Sequence, residues 1–173
     1  MSEPITILTT PRLILRNWRE EDLEPFYALT SDPDVMRYIG LGDIWDRALT
    51  EMVVGRRIRQ GIERGYCLWA VELRENGEMI GQCGVQPLPE TDEIEIGWWL
   101  AKDCWGKGLA TEAARGALDY SMNSLGFKRI VAVAQAANHA SLRIMIKLGM
   151  HFEKTIEKSG IENVQFYVIE RTE

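Results

Sequence analysis

The residues best suited to chemistry lie between Trp98 and Glu112, in the run Trp-Trp-Leu-Ala-Lys-Asp-Cys-Trp-Gly-Lys-Gly-Leu-Ala-Thr-Glu. The pattern predicts a strand ending near Leu100, a short loop with Gly106 and Gly108, and a helix from about Leu109. Glycine permits a tight turn and a close approach of backbone to ligand. The first amides of a helix lack internal acceptors, and the dipole makes that end positive. Together these features form a cradle for phosphate, to which Lys107 adds a mobile positive charge. The loop is neither a Walker A motif nor GxGxxG, because no third glycine stands at the required offset. Gly-x-Gly before a helix also suits a plain tight connection.

Other residues invite a chemical reading beside a structural one. Glu93 and Glu95 alternate with Ile94 and Ile96, which puts two carboxylates on one strand face. The plainer reading is a solvated face. Asn138 and Ser141 fall at the N-cap and first turn of a predicted helix, where capping is the common fate. His139 and His151 lack a partnered serine or cysteine arrangement and read as structural. Cys104 abuts the glycine loop but reads better as a small apolar filler than as a nucleophile. Arg56, Arg57 and Arg59 read as a solvated helix face, and Trp45, Trp69, Trp98, Trp99 and Trp105 as mostly core.

The elements that must position these residues follow from periodicity. Leu13 to Arg16 reads as a strand, and Arg19 to Thr30 as a helix with acids in its first turn. Asp34 to Gly40 reads as a short helix closed by glycine. Arg47 to Arg64 reads as a longer helix whose apolar set is Leu49, Met52, Val53, Ile58 and Ile62. Cys67 to Leu73 and Met79 to Val85 flank Asn76-Gly77, a strong hairpin signal. Glu93 to Leu100 is a further strand. Leu109 to Leu125 carries Ala110, Ala113, Ala114, Ala117, Leu118, Ser121 and Leu125 on one stripe, closed by Gly126. A strand at Arg129 to Ala134, a helix at His139 to Leu148, and strands near Met150 to Glu157 and Ile161 to Glu170 complete the order. Such an order predicts a mixed α/β (α+β) sheet covered by helices.

Composition bounds the rest. A chain of 173 residues fits one domain, expected over residues 1–173. Its net charge of −6 argues against nucleic acid as a partner. The three cysteines have no disulfide-like or metal-ligand spacing, so no metal is expected. No apolar run approaches the ~18 residues of a membrane span. Met1-Ser2-Glu3-Pro4 lacks the basic start and apolar core of a signal peptide, so a cytoplasmic protein is expected.

Five segments then agree in order with one known family. Trp105 to Ala113 (Trp-Gly-Lys-Gly-Leu-Ala-Thr-Glu-Ala) resembles the pyrophosphate loop of the GNAT superfamily of acetyltransferases, most like its RimJ/RimL branch. Arg12 to Arg16 with Asp22-Leu23, Ser31 to Met36, Glu95 to Leu100, and Asn138 to Gly149 are similar to the branch's other segments. The resemblance implies a mostly antiparallel central sheet of about seven strands, with two central strands splayed apart. In the family, the strand ending at Trp98-Trp99-Leu100 is bulged and splays from Ile130 to Ala134.

The resemblance further implies transfer of acetyl from acetyl-coenzyme A to a primary amine, either a protein N-terminus or a small molecule. An idle coenzyme A-binding sensor on the same fold is the alternative. Cofactor contacts are expected from Trp98, Trp99, Leu100, Trp105, Gly106, Lys107, Gly108, Leu109, Ala110, Thr111, Asn138 and Ser141. Glu95 is the expected general base, with Glu93 and Glu72 as rivals, and holding the substrate's ammonium is its alternative role. Ser141 is the expected general acid or sulfur ligand, and Trp45 a candidate wall of the acceptor pocket. A homodimer is common for such folds. The acidic chain mildly favours a cationic acceptor.

Overall fold

Pro11 separates two four-residue strands, β1 (Thr6–Thr9) and β2 (Leu13–Arg16), in the computed structural model, which describes residues 4–172. The N-terminal reading over Met1-Ser2-Glu3 lies outside the described residues. A single 3-10 turn at Glu20–Asp22 leads into α1 (Leu23–Thr30). Asp32 caps α2 (Pro33–Met36) by accepting the Asp34 amide. Turns replace the helix expected on to Gly40, because the Ile39 and Gly42 amides donate to Met36 and Ile39 three residues back. Next comes α3 (Arg47–Arg64), closed by the left-handed Gly65.

The hairpin of β3 (Leu68–Leu73) and β4 (Met79–Pro87) turns at Asn76-Gly77 as expected. It is followed by β5 (Ile94–Leu100), α4 (Leu109–Asn123), β6 (Arg129–Gln135), α5 (His139–Lys147), β7 (His151–Lys158) and β8 (Ile161–Glu170). The sheet has eight strands in the order β1-β2-β3-β4-β5-β6-β8-β7. The strand beyond the expected seven is β1, an edge strand too short to show alternation. Every neighbouring pair is antiparallel except β5–β6, which is parallel.

Two local differences matter for the site. The face of α3 turned to the core carries Thr50, Val53, Val54 and Arg57, at spacings of three and four residues. Met52 and Ile62, expected in the core, are instead 58% and 76% exposed. The expected bulge is also absent: β4 and β5 stay in register from Gly81↔Leu100 to Pro87↔Ile94. The splay has a different origin. β5 and β6 share one register pair, Glu95↔Val131, and diverge beyond it. The small, fully buried Ala113, Ala114 and Ala117 of α4 let that helix lie close against β4 and β5.

Candidate active site

The glycine loop has the backbone geometry that a phosphate cradle requires. Gly106 and Gly108 hold φ values of +71° and +75°, in the left-handed region that favours glycine. Gly108 is the N-cap of α4, and no side chain caps that end. The amides of Leu109, Ala110 and Thr111 therefore find no acceptor among the described residues. Space above Gly106 is open, since a Cβ there would meet nothing within 4 Å. Trp105 is half-exposed and folds back so that its indole Nε1 donates to the Leu100 carbonyl at 2.9 Å. This ties the loop to the end of β5.

Arg12, at the edge of β2, was read only as part of an opening strand, yet it is built into this loop. Its Nη1 donates to the Lys107 carbonyl at 2.9 Å and its Nε to Glu112 Oε2 at 2.7 Å. Thr10 Oγ1 and the Arg12 amide donate to Glu112 Oε1 at 2.7 and 2.8 Å. Burial pushes the Glu112 carboxyl up, but these hydrogen bonds outweigh it and hold the group below its ordinary value.

Where β5 and β6 part, a cavity of about 190 Å³ opens. Glu95, Trp98, Trp99, Asn138 and Ser141 all line it. Five of the sequence-predicted residues, from β5 and the start of α5, thus meet around one space. Asn138 Oδ1 accepts the Ser141 amide at 3.2 Å, so the capping role expected for Asn138 is present. The Ser141 hydroxyl has no partner among the described residues. Leu100 and the glycine loop lie outside this lining, further along β5.

Glu95 is 7% exposed and sits in a defined polar setting. Gln86 Nε2 donates to its Oε1 at 2.8 Å, and Lys158 Nζ stands 3.7 Å from its Oε2. Its rivals are committed elsewhere. Glu93 pairs with Arg129 at 3.0 Å, and Glu72 accepts Arg16 Nε at 2.7 Å within a buried cluster that includes Asp22. Cys104 is buried and its thiol is pushed up by that burial, which suits a filler rather than a nucleophile. His139 and His151 are exposed.

Four polar side chains that line this cavity escaped the sequence reading: Tyr38, Arg57, Gln86 and Lys158. Arg57, expected on a solvated face, is 5% exposed, because the core-facing stripe of α3 runs through it. The spacing Thr50, Val53, Val54, Arg57 was the signal that could have found it. Burial lowers its guanidinium to about 10. A second, larger cavity of about 580 Å³ adjoins the first through shared Ile39, Gly40, Arg57, Gln86 and Trp99. Trp45 lines it and is fixed edge-on to Trp99 with ring centroids 5.4 Å apart. Gln135 Nε2 donates to the Gly40 carbonyl at 3.3 Å, which ties the roof over both spaces to the end of β6.

Residues 12–151 match the Acetyltransferase (GNAT) domain family. The chain belongs to the GNAT acetyltransferases. It is 31% identical over 160 residues to the uncharacterized N-acetyltransferase YoaA of Bacillus subtilis, covering 91% of this chain and 89% of that one. The GNAT acetyltransferase structure from Bacillus anthracis superposes with a TM-score of 0.81 at 28% identity, covering 97% and 98% of the two chains. RimL, a ribosomal alpha-N-protein acetyltransferase solved in complex with coenzyme A, shares the fold at a TM-score of 0.79 and 18% identity over 97% and 98%. This GNAT domain is thus an acetyl-coenzyme A-dependent acetyltransferase, with the mixed, mostly antiparallel sheet of that fold. Among the described residues, no helix is long and apolar enough to cross a membrane, and no cluster of metal-ligating side chains occurs.

Proposed function

We propose that this chain moves the acetyl group of acetyl-coenzyme A directly onto a primary amine, with Glu95 as base and Ser141 as acid. The observation that carries this reading is the meeting of Glu95, Asn138 and Ser141 around one cavity at the parting of β5 and β6. Acetyl-coenzyme A supplies an acetyl group already activated as a thioester. The residues of the loop fit its diphosphate: uncapped amides at Leu109, Ala110 and Thr111, the turn through Gly106 and Gly108, and the cation of Lys107. Trp105 closes the loop against Leu100. Trp98, Trp99, Leu100 and Asn138 hold the arm that carries the thioester.

The acceptor arrives as an ammonium, with a pKa of ~8 for an α-amine or ~10.4 for a lysine. Glu95 accepts its proton, directly or through one water, and such a base contributes about 10²–10⁴-fold. The freed lone pair attacks the carbonyl carbon and the carbon–sulfur bond breaks. Main-chain amides on the parting edge of β5 face the developing oxyanion, where one donor is worth ~3 kcal/mol. Ser141 passes its hydroxyl proton to the departing sulfur and takes up the second proton of the amine nitrogen, so the step leaves a neutral amide, the free thiol of coenzyme A, a protonated Glu95 and an unchanged serine. The coenzyme A found with RimL supports the donor assignment.

The test is Gly108→Asp. A carboxylate at the helix N-terminus repels the diphosphate, so calorimetry is expected to show coenzyme A affinity at least about tenfold weaker in a folded variant. Unchanged affinity removes the loop from the donor site. Uptake of acetyl-coenzyme A by the wild type without acetylation of any amine favours an idle sensor.

A further inference from the structure

The larger cavity carries a charge that runs against the chain as a whole. Arg56, Arg57, Gln60 and Arg64 of α3 line it, with Arg57, Gln60 and Arg64 spaced by three and four residues and Arg56 four before Gln60. Among the described residues, the only carboxylate lining it is that of Asp43. Taking both cavities together, Arg56, Arg57, Arg64 and Lys158 stand against Asp43 and Glu95, in a chain of net charge −6. Among the described residues, Arg56, Arg57 and Arg64 take part in no ion pair within 4.0 Å.

Arg57 is the decisive member. It is 95% removed from solvent, and its Nε has no hydrogen-bond partner. Its Nη1 reaches two neutral amide oxygens, Gln86 Oε1 at 2.7 Å and Gln60 Oε1 at 3.1 Å. A buried guanidinium without a counter-ion is costly, and its planar fork matches an oxyanion. The nearby Glu95 offsets that charge only in part, from beyond ion-pair distance. Gln86 stands between the two, and Glu95 is itself faced by Lys158. The lining also has an apolar part: Ile44, Trp45, Leu49 and Trp99. A space of about 580 Å³ suits a small molecule.

We infer that the acceptor is a small primary amine that also carries an oxyanion, seated on Arg57, with its carbon skeleton against Trp45 and Trp99. This inference rests on the transfer reading above. It reverses the expectation of a cationic acceptor, because the local field at the pocket opposes the global charge. An α-amino acid with a carboxylate and an amine bearing a phosphate ester share this chemistry.

The experiment compares initial rates of acetyl transfer on matched pairs: phenylalanine against phenethylamine, and phosphoethanolamine against ethanolamine. The oxyanion-bearing member of at least one pair is expected to show kcat/KM about tenfold higher or more. The pair that discriminates tells carboxylate from phosphate. Arg57→Met is expected to compress that ratio to within about threefold, and Arg57→Lys to restore part of it. Equal or higher kcat/KM for the anion-free amines, for spermidine or for a neutral peptide N-terminus overturns the inference; because the wild-type comparison needs no variant, misfolding of Arg57→Met does not blunt it. Titration of tryptophan fluorescence with phenylalanine and phosphoethanolamine separates the two readings. Saturable binding lost in Arg57→Met, without turnover of any amine, upholds the oxyanion seat and removes transfer. Transfer without a preference for the anion does the reverse.

Discussion

Gln86 shows how single side chains settle this site. Guanidinium can only donate and carboxylate can only accept, so the amide between Arg57 and Glu95 has one workable orientation, oxygen to the first and nitrogen to the second. Glu95→Gln disturbs that arrangement least in shape and most in chemistry. Its expected outcome is a fall in kcat of about 100-fold, with acetyl-coenzyme A affinity by calorimetry held within about twofold. An equal loss in both reassigns Glu95 to positioning. Ser141→Ala is expected to lower kcat about tenfold with the same affinity, and an unaltered kcat takes the acid role from Ser141. At this scale the sequence was half legible. Glu95, Asn138 and Ser141 stood at positions that local periodicity could place. Arg57, Gln86 and Lys158 come from α3, β4 and β7, and their meeting depends on tertiary packing that no local spacing encodes.

Among the elements, α4 carries a device that the sequence did not announce. Glu112 in its first turn accepts from Thr10 Oγ1, the Arg12 amide and Arg12 Nε, and so staples the β1–β2 turn to the glycine loop. The carboxyl is held below its ordinary 4.5: burial raises it, and the hydrogen bonds from Thr10 and Arg12 together lower it by more. A group lowered on folding contributes stability above its unfolded value, which is lost as pH falls through the folded value. Thermal melts taken from pH 6 down to pH 3 are therefore expected to drop more steeply for the wild type than for Glu112→Gln. Parallel curves would sink this account. The start of α4 was readable because glycines and an alanine stripe mark it, whereas the inward face of α3 was not. Its buried stripe mixes Thr50 and Arg57 with Val53 and Val54, while apolar Met52 and Ile62 face outward. A count of apolar residues picks the wrong side of such a helix.

For the whole molecule, the succession of elements along the chain was legible because hairpin and turn residues punctuate it at Asn76-Gly77, Gly126 and Gly149. Net charge was a poor guide to the pocket. Acidic residues are spread over the surface or engaged by partners such as Arg129, which binds Glu93, Glu153 and Glu170, whereas Arg56, Arg57 and Arg64 of α3 converge on one space. The lone rung at Glu95↔Val131 has a mechanical side. Five strands stand to one side of it and three to the other, so the sheet is two blocks seamed along a nearly unstitched line. Whatever lodges in that seam touches both blocks at once. Occupancy then acts as mortar, and catalysis and cohesion draw on the same gap.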